Sequence, residues 1–281
     1  MIYTKSRKTS KMSITTQKTR TDEEMTFWDH LDVLRGSLFH IVCVLAVACV
    51  GCFIAMPYIF DQVILGPTTS DFFLYKFFAS LGHLPFTPDF SDEQFHVNII
   101  NINVASQFMT HMSTAFWLAA VLTFPYMIYE IWLFIKPALV SNEIRNVRTA
   151  FFGGTFMFYL GCAVGYSIVF PLTFRFLVQY TLGERIVNEI NLGSYIDMFL
   201  MMIFVMGIVF ELPMVAWLLS KFGIIHKELL ESGRRYAVVI LLITAALITP
   251  SGDPFTLMVV FLPLYLLYEV SIKVVNRKPT T

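Results

Sequence analysis

The chain has 281 residues, 56% of them hydrophobic and only 14% charged, with 28 Phe and a mean hydropathy of +0.66. That is well above the roughly 45–50% apolar share of a soluble domain and marks an integral membrane protein. Twenty Lys and Arg balance twenty Asp and Glu, which excludes both the basic stripe of a nucleic-acid binder and the acidic, weakly hydrophobic make-up of a disordered chain.

Residues 1–24 are rich in Ser, Thr and Lys and contain no apolar core. They read as a solvated cytoplasmic tail rather than a cleavable signal peptide, and Met25 is a second candidate start. A membrane domain over 25–275 follows. A helix needs about 20 apolar residues to cross a hydrocarbon layer of roughly 30 Å, and the runs 37–57, 106–126, 150–170 and 198–220 meet that length. Two shorter runs, 236–248 and 255–270, flank the turn formers Thr249-Pro250-Ser251-Gly252-Asp253-Pro254 and read as a short helical hairpin. The expectation is therefore an all-α membrane protein of six transmembrane helices, the last two short. The alternating ten-residue segments of a membrane barrel are absent from these runs.

Seventeen of the twenty Lys and Arg fall on the side of the termini, leaving Lys76, Arg175 and Arg185 on the other. By the positive-inside rule both termini are cytoplasmic, with 276–281 as a short C-terminal tail. The opposite (trans) side carries an extended loop, 58–105, long enough to cap the bundle. Within it Phe72, Phe73, Phe77 and Phe78 recur at helical spacing around Lys76, which fits an interfacial amphipathic helix or a plain packing face.

Catalytic signatures are missing: the sequence has no His-Glu-x-x-His, no Gly-x-Ser-x-Gly, no P-loop and no dinucleotide fingerprint, so no enzyme, metal or cofactor is expected. The four cysteines lie inside the spans, and Cys49-x-x-Cys52 reads as a pair of inert thiols. His111 in the second span reads as a packing imidazole rather than a proton relay. Glu211 stands out, because a carboxylate at bilayer depth is expensive and Pro213 two residues on can kink the helix there. Either a polar notch or a protonated Glu bonded to a neighbouring helix would account for it. Glu269 near the end of the sixth span can snorkel to the interface. The loop Tyr129-Glu130-Ile131-Trp132-Leu133-Phe134-Ile135-Lys136-Pro137-Ala138-Leu139-Val140-Ser141-Asn142-Glu143-Ile144-Arg145 carries at Glu143 a carboxylate able to grip a guanidinium bidentately or to pair with Arg145 or Arg148.

Four stretches resemble one family. Phe27-Trp28-Asp29-His30-Leu31-Asp32-Val33-Leu34-Arg35 is similar to the His-Leu-x-Glu-Leu-Arg start of the TatC subunit of the twin-arginine protein translocase. Trp132-x-Phe134-x-x-Pro137-Ala138-Leu139-x-x-x-Glu143 resembles its first cytoplasmic loop, Phe210-Glu211-Leu212-Pro213 its Phe-Glu-x-Pro, and Thr249-Pro250-Ser251-Gly252-Asp253 its Thr-Pro-x-Asp turn. One position departs: Val33 stands where the family has Glu, and the neighbouring Asp32 lies about 100° round the helix.

The resemblance implies a receptor for twin-arginine signal peptides that exports folded proteins with the proton motive force, in the cytoplasmic (inner) membrane of a bacterium. It assigns Glu143 to the arginine pair, Phe134 and Pro137 to the shape of that loop, and Asp32 and Arg35 to the same surface. Glu211 and Pro213 become the docking place of single-span TatA/TatB-type subunits, and Pro250, Asp253 and Glu269 structural elements of the last hairpin. Self-association in the active complex is implied, and nucleic acid is not. A small-solute secondary transporter is the alternative, but it calls for matching halves with paired broken helices, and no repeat of that kind is seen. A scaffold without a cargo site would leave Glu143→Gln silent.

Overall fold

The computed structural model describes residues 27–81, 95, 97–135, 144–183, 188–249 and 251–275. Its helices follow the apolar runs but overshoot them, because a helix continues through polar ends until a turn former or an unsatisfied backbone stops it. Helix α1 spans Phe27–Ile59, starting well before the apolar run. Its trans end passes through a π-turn at Phe60–Ile64 and a single 3-10 turn at Gly66–Thr68 into α2, Phe73–Leu81. Helix α3 is Ser106–Ile135 and α4 is Ile144–Val164. A π segment at Gly165–Val169 joins α4 to α5, Phe170–Gln179, just where Pro171 removes a backbone donor. Next come α6, Leu192–Phe210, and α7, Leu212–Lys221, with Glu211 at the break. The chain closes with α8, Lys227–Ser232, α9, Arg234–Ile248, and α10, Pro254–Val274.

Among the described residues five segments are long and apolar enough to cross a membrane: Leu31–Thr68, Ser106–Phe134, Arg148–Gln179, Leu192–Lys221 and Pro254–Val274. The last corrects an expectation. Helix α10 has 21 residues, about 31 Å, and is not short. Asp253 caps it, Pro254 enters at its first turn, and Ser271, Ile272, Lys273 and Val274 extend it past the apolar window. Of the two helices of the final hairpin α9, at 15 residues and about 22 Å, falls short of a hydrocarbon layer. The final hairpin thus has unequal arms, with α10 lying between α9 and α7.

The bundle is organised around two close pairings, α1 with α3 and α4 with α6. The second is possible because α4 carries Gly161, where an added Cβ would stand 2.5 Å from the Met206 carbonyl oxygen. In a membrane such small residues let backbones approach when no hydrophobic force drives helices together. The first pairing is tied near the trans end by His111. Pro57 has no N–H to offer the carbonyl four residues earlier, that of Phe53. The His111 Nε2–H donates to that carbonyl at 2.9 Å, and its ring stacks on Phe53 at 3.9 Å. The imidazole therefore repairs a proline defect, in keeping with a packing role.

A cap covers the trans end. Strand β1, Ile99–Ile100, pairs in parallel with β2, Ile190–Asn191, joining the loop after α1 to the loop before α6. Irregular backbone at 60–68 leaves carbonyls that need donors, and three tyrosines supply them. Tyr166 Oη–H donates to Val63 at 3.0 Å, Tyr195 to Ile64, and Tyr75 to Pro67 at 2.8 Å. Helix α2 packs by Tyr75 and Leu74 while Phe73 and Phe77 stay more than half exposed, so the helix predicted from the phenylalanine spacing has both a packing face and an outward one.

Candidate functional site

The predicted site residues fall into three groups within the described residues, and three of them lie outside. Glu143, Pro137 and Pro250 lie outside the described residues. Phe134 sits in the last turn of α3, partly buried, and Asp32 and Arg35 are exposed in the first turns of α1. Since α1 and α3 run antiparallel, these three belong to one end of the same helix pair.

One turn inside that end lies a polar cluster that single-sequence reasoning missed. Glu130 of α3 is 4% exposed. Its Oε1 accepts from Tyr126 Oη–H at 2.6 Å, the buried Ser37 hydroxyl donates to the same carboxylate, and His40 Nδ1 stands 3.5 Å away. The available signal was a Tyr and a Glu four residues apart in an apolar helix, the spacing at which side chains meet. Its partners on α1 are about ninety residues away in sequence, which no local pattern reveals. Glu130 and the His111 tie are nineteen residues apart on α3, about 28 Å along the axis. Two polar links therefore bracket a slab as thick as a bilayer core.

Glu211 is the second feature. With Pro213 unable to donate, the helix breaks there: the Glu211 N–H reaches back to the Ile208 carbonyl at 3.0 Å, and α7 restarts with the Met214 and Val215 N–H groups on the Glu211 carbonyl. Its half-buried carboxylate lies over α4 at Gly154, where a Cβ would stand 2.8 Å from Oε2. Oε1 is buried and has no hydrogen-bond partner among the described residues. The notch is polar, and among the described residues no neighbouring helix donates a hydrogen bond to that oxygen.

The last hairpin holds the third group. Asp253 Oδ1 accepts the Thr256 N–H at 2.8 Å and Oδ2 accepts Ser251 Oγ–H at 2.6 Å, so its side chain closes the first turn of α10. Partial burial disfavours its charge, but these hydrogen bonds outweigh that and hold the carboxyl below its ordinary value. Glu269 is gripped by Arg234 Nη2 at 3.1 Å and Tyr265 Oη–H at 3.2 Å, which fastens α10 to the start of α9.

The four cysteines are free thiols, and among the described residues no group of His, Cys, Asp and Glu could hold a metal ion. A cavity of about 450 Å3 on the cap side is lined by Asp61, Asn101, Gln107, Thr110 and His111. None of the predicted site residues reaches it.

Comparison with known proteins places this architecture. The model of the family described as "Sec-independent protein translocase protein (TatC)" matches residues 29–263. A Sec-independent protein translocase protein TatC from Blattabacterium sp. subsp. Periplaneta americana (strain BPLAN) is 37% identical over 251 residues, covering 89% of this chain and 94% of the relative. Its counterpart from Deinococcus radiodurans is 31% identical over 245 residues, 87% of this chain and 83% of the relative. A crystal structure of a twin-arginine translocase receptor, TatC, superposes with a TM-score of 0.68 at 27% identity, covering 87% of this chain and 97% of that one. With a helical membrane fold of the same shape and such relatives along most of its length, the chain belongs to the TatC family of Sec-independent protein translocase proteins.

Proposed function

We propose that this chain is the receptor subunit of a twin-arginine translocase in a bacterial cytoplasmic membrane, with six membrane helices and both termini cytoplasmic. It binds the arginine pair of signal peptides through Glu143, with Phe134 and Pro137 shaping the loop and Asp32 and Arg35 beside it. The observation that carries this reading is the family match across most of the chain. The convergence of Phe134, Asp32 and Arg35 on one end of the α1–α3 pair agrees with it. A guanidinium pair meets a carboxylate by charge-assisted, forked hydrogen bonds, and the apolar part of the peptide is buried against the bundle. The notch at Glu211 and Pro213 is where a single-span TatA/TatB-type partner docks. There a polar side chain from that partner would meet the unsatisfied Oε1.

The test is photo-crosslinking from position 143 to a twin-arginine peptide, with a twin-lysine peptide as control. Strong labelling by the first and weak labelling by the second is expected, since an ammonium lacks the planar fork; equal labelling refutes the assignment. Helix α9, too short for a full hydrocarbon layer, would thin the membrane locally and lower the barrier to cargo. Inserting about seven apolar residues into it, some 10 Å of helix, is expected to abolish transport while peptide binding persists. Normal transport would remove this step.

A further inference from the structure

Glu130 is a buried carboxylate that faces two hydroxyls and an imidazole and, among the described residues, no Lys or Arg. Taking a carboxylate out of water is costly unless a cation and hydrogen bonds replace the lost hydration. Two of its contacts are neutral hydroxyls, those of Tyr126 and Ser37. The third is the imidazole of His40 at 3.5 Å, longer than a well-formed hydrogen bond. Among the described residues no Lys or Arg forms an ion pair with it. The side chains differ sharply in access: that of Glu130 is 6% exposed and that of His40 is 62% exposed. The imidazole is therefore a cover over the carboxylate that can turn aside without opening a void in the core.

We propose that Glu130 is a guanidinium-binding residue of the peptide site, receiving one arginine of the incoming signal peptide as His40 swings away. This rests on the receptor reading above. The location fits: Glu130 is one helical turn inside Phe134, at one boundary of the apolar slab, where a long side chain can lay its stem on the helices and extend its charged head. The chemistry fits as well. A guanidinium carries a permanent charge and offers two parallel N–H donors to one carboxylate, so it completes what a distant imidazole leaves open. Tyr126 and Ser37 fix the carboxylate beforehand, and little order is lost on binding.

The experiment uses the full chain in lipid nanodiscs with labelled signal peptides bearing Arg-Arg, Arg-Lys, Lys-Arg and Lys-Lys. The unaltered protein is expected to lose affinity at each lysine substitution. Glu130→Gln is expected to weaken Arg-Arg binding about tenfold to hundredfold and to erase the lysine penalty at one of the two positions while keeping it at the other. His40→Arg, at an exposed position, places an intramolecular guanidinium on the same carboxylate. It is expected to weaken Arg-Arg binding similarly and to have no added effect in the Glu130→Gln background. Full discrimination at both positions by Glu130→Gln overturns the proposal, as does an equal loss for all four peptides, the mark of a structural role. Should Glu130→Gln fail to accumulate in membranes, unchanged affinity in His40→Arg overturns it. An unaltered protein that treats Arg-Arg and Lys-Lys alike overturns both this proposal and the receptor reading. Discrimination in that protein, lost in Glu143→Gln but intact in Glu130→Gln, overturns this proposal alone.

Discussion

The two ends of the bundle solve the same problem, polar groups beside an apolar slab, in opposite ways. At the cap end the difficult groups are enclosed. Arg175 is completely buried, with its guanidinium 4.7 Å from the ring centre of Tyr75 and 4.3 Å from that of Phe95. In the same buried core the rings of Phe170, Phe174, Tyr195 and Phe199 pack on one another with centres 5–6 Å apart. The hydroxyl of Tyr75, whose burial pushes its ionisation upward, is spent on the carbonyls of Pro67 and Pro171. At the opposite end the charges stand near helix termini: Asp32 and Arg35 are exposed, the Arg234–Glu269 pair is half exposed, and Glu130 lies behind the exposed His40. The difference teaches which end is architecture and which is available for recognition, because an enclosed cation packed against rings holds its neighbours in place and an accessible charge can exchange partners.

The contrast predicts a graded set of effects. The largest is at Arg175. Arg175→Met removes a desolvated cation from two aromatic faces and is expected to cost about 2–4 kcal/mol of stability. Thermal unfolding in detergent would read it, and a loss below about 0.5 kcal/mol would show that the cap does not depend on this cation. A smaller effect is expected at Asp253, also on the cap side, where Phe255 stacks on Phe176 at 4.3 Å. Asp253→Ala removes a helix cap worth about 1 kcal/mol. Folding lowers the Asp253 carboxyl from its ordinary value of 3.8. Its contribution is therefore complete above that value and is lost as pH falls through the folded one. The stability gap between the parent and the Ala variant should be constant near neutrality and narrow only in strong acid; a gap that closes near pH 6 would contradict the assignment. The smallest effect belongs to the other end. Arg234→Met breaks a half-exposed ion pair and is expected to cost less than about 1 kcal/mol, less again at high salt. A larger, salt-independent loss would mean that this end is as rigid as the cap.

Much of this molecule was legible in the chain because membranes impose few choices. An apolar run long enough to cross must be helical, since no other open segment satisfies its backbone in lipid. The runs around residues 37–57, 106–126, 150–170 and 198–220 all became helix. Pro213 after Glu211 marked a break, and a break is present. The final helix was underestimated because hydropathy measures the uninterrupted greasy stretch and not the capped helix around it: Asp253 starts the helix one residue earlier at Pro254, and the helix runs on past Ser271 and Lys273 to Val274. Glu211 was visible as an anomaly, but its seat over Gly154 was not, since the two are more than fifty residues apart.

Composition and periodicity by themselves determined the membrane class, the helical segments and the points where proline interrupts them, because these follow from the hydrogen-bonding needs of each short stretch of backbone. Only the folded chain decided which distant polar groups meet: Glu130 with Ser37 and His40, His111 with the carbonyl that Pro57 leaves free, Arg175 with Tyr75 and Phe95, and β1 with β2. Those pairings depend on how helices lean together in three dimensions, and a side chain's neighbours across an interface are set by packing geometry and not by its own position along the sequence.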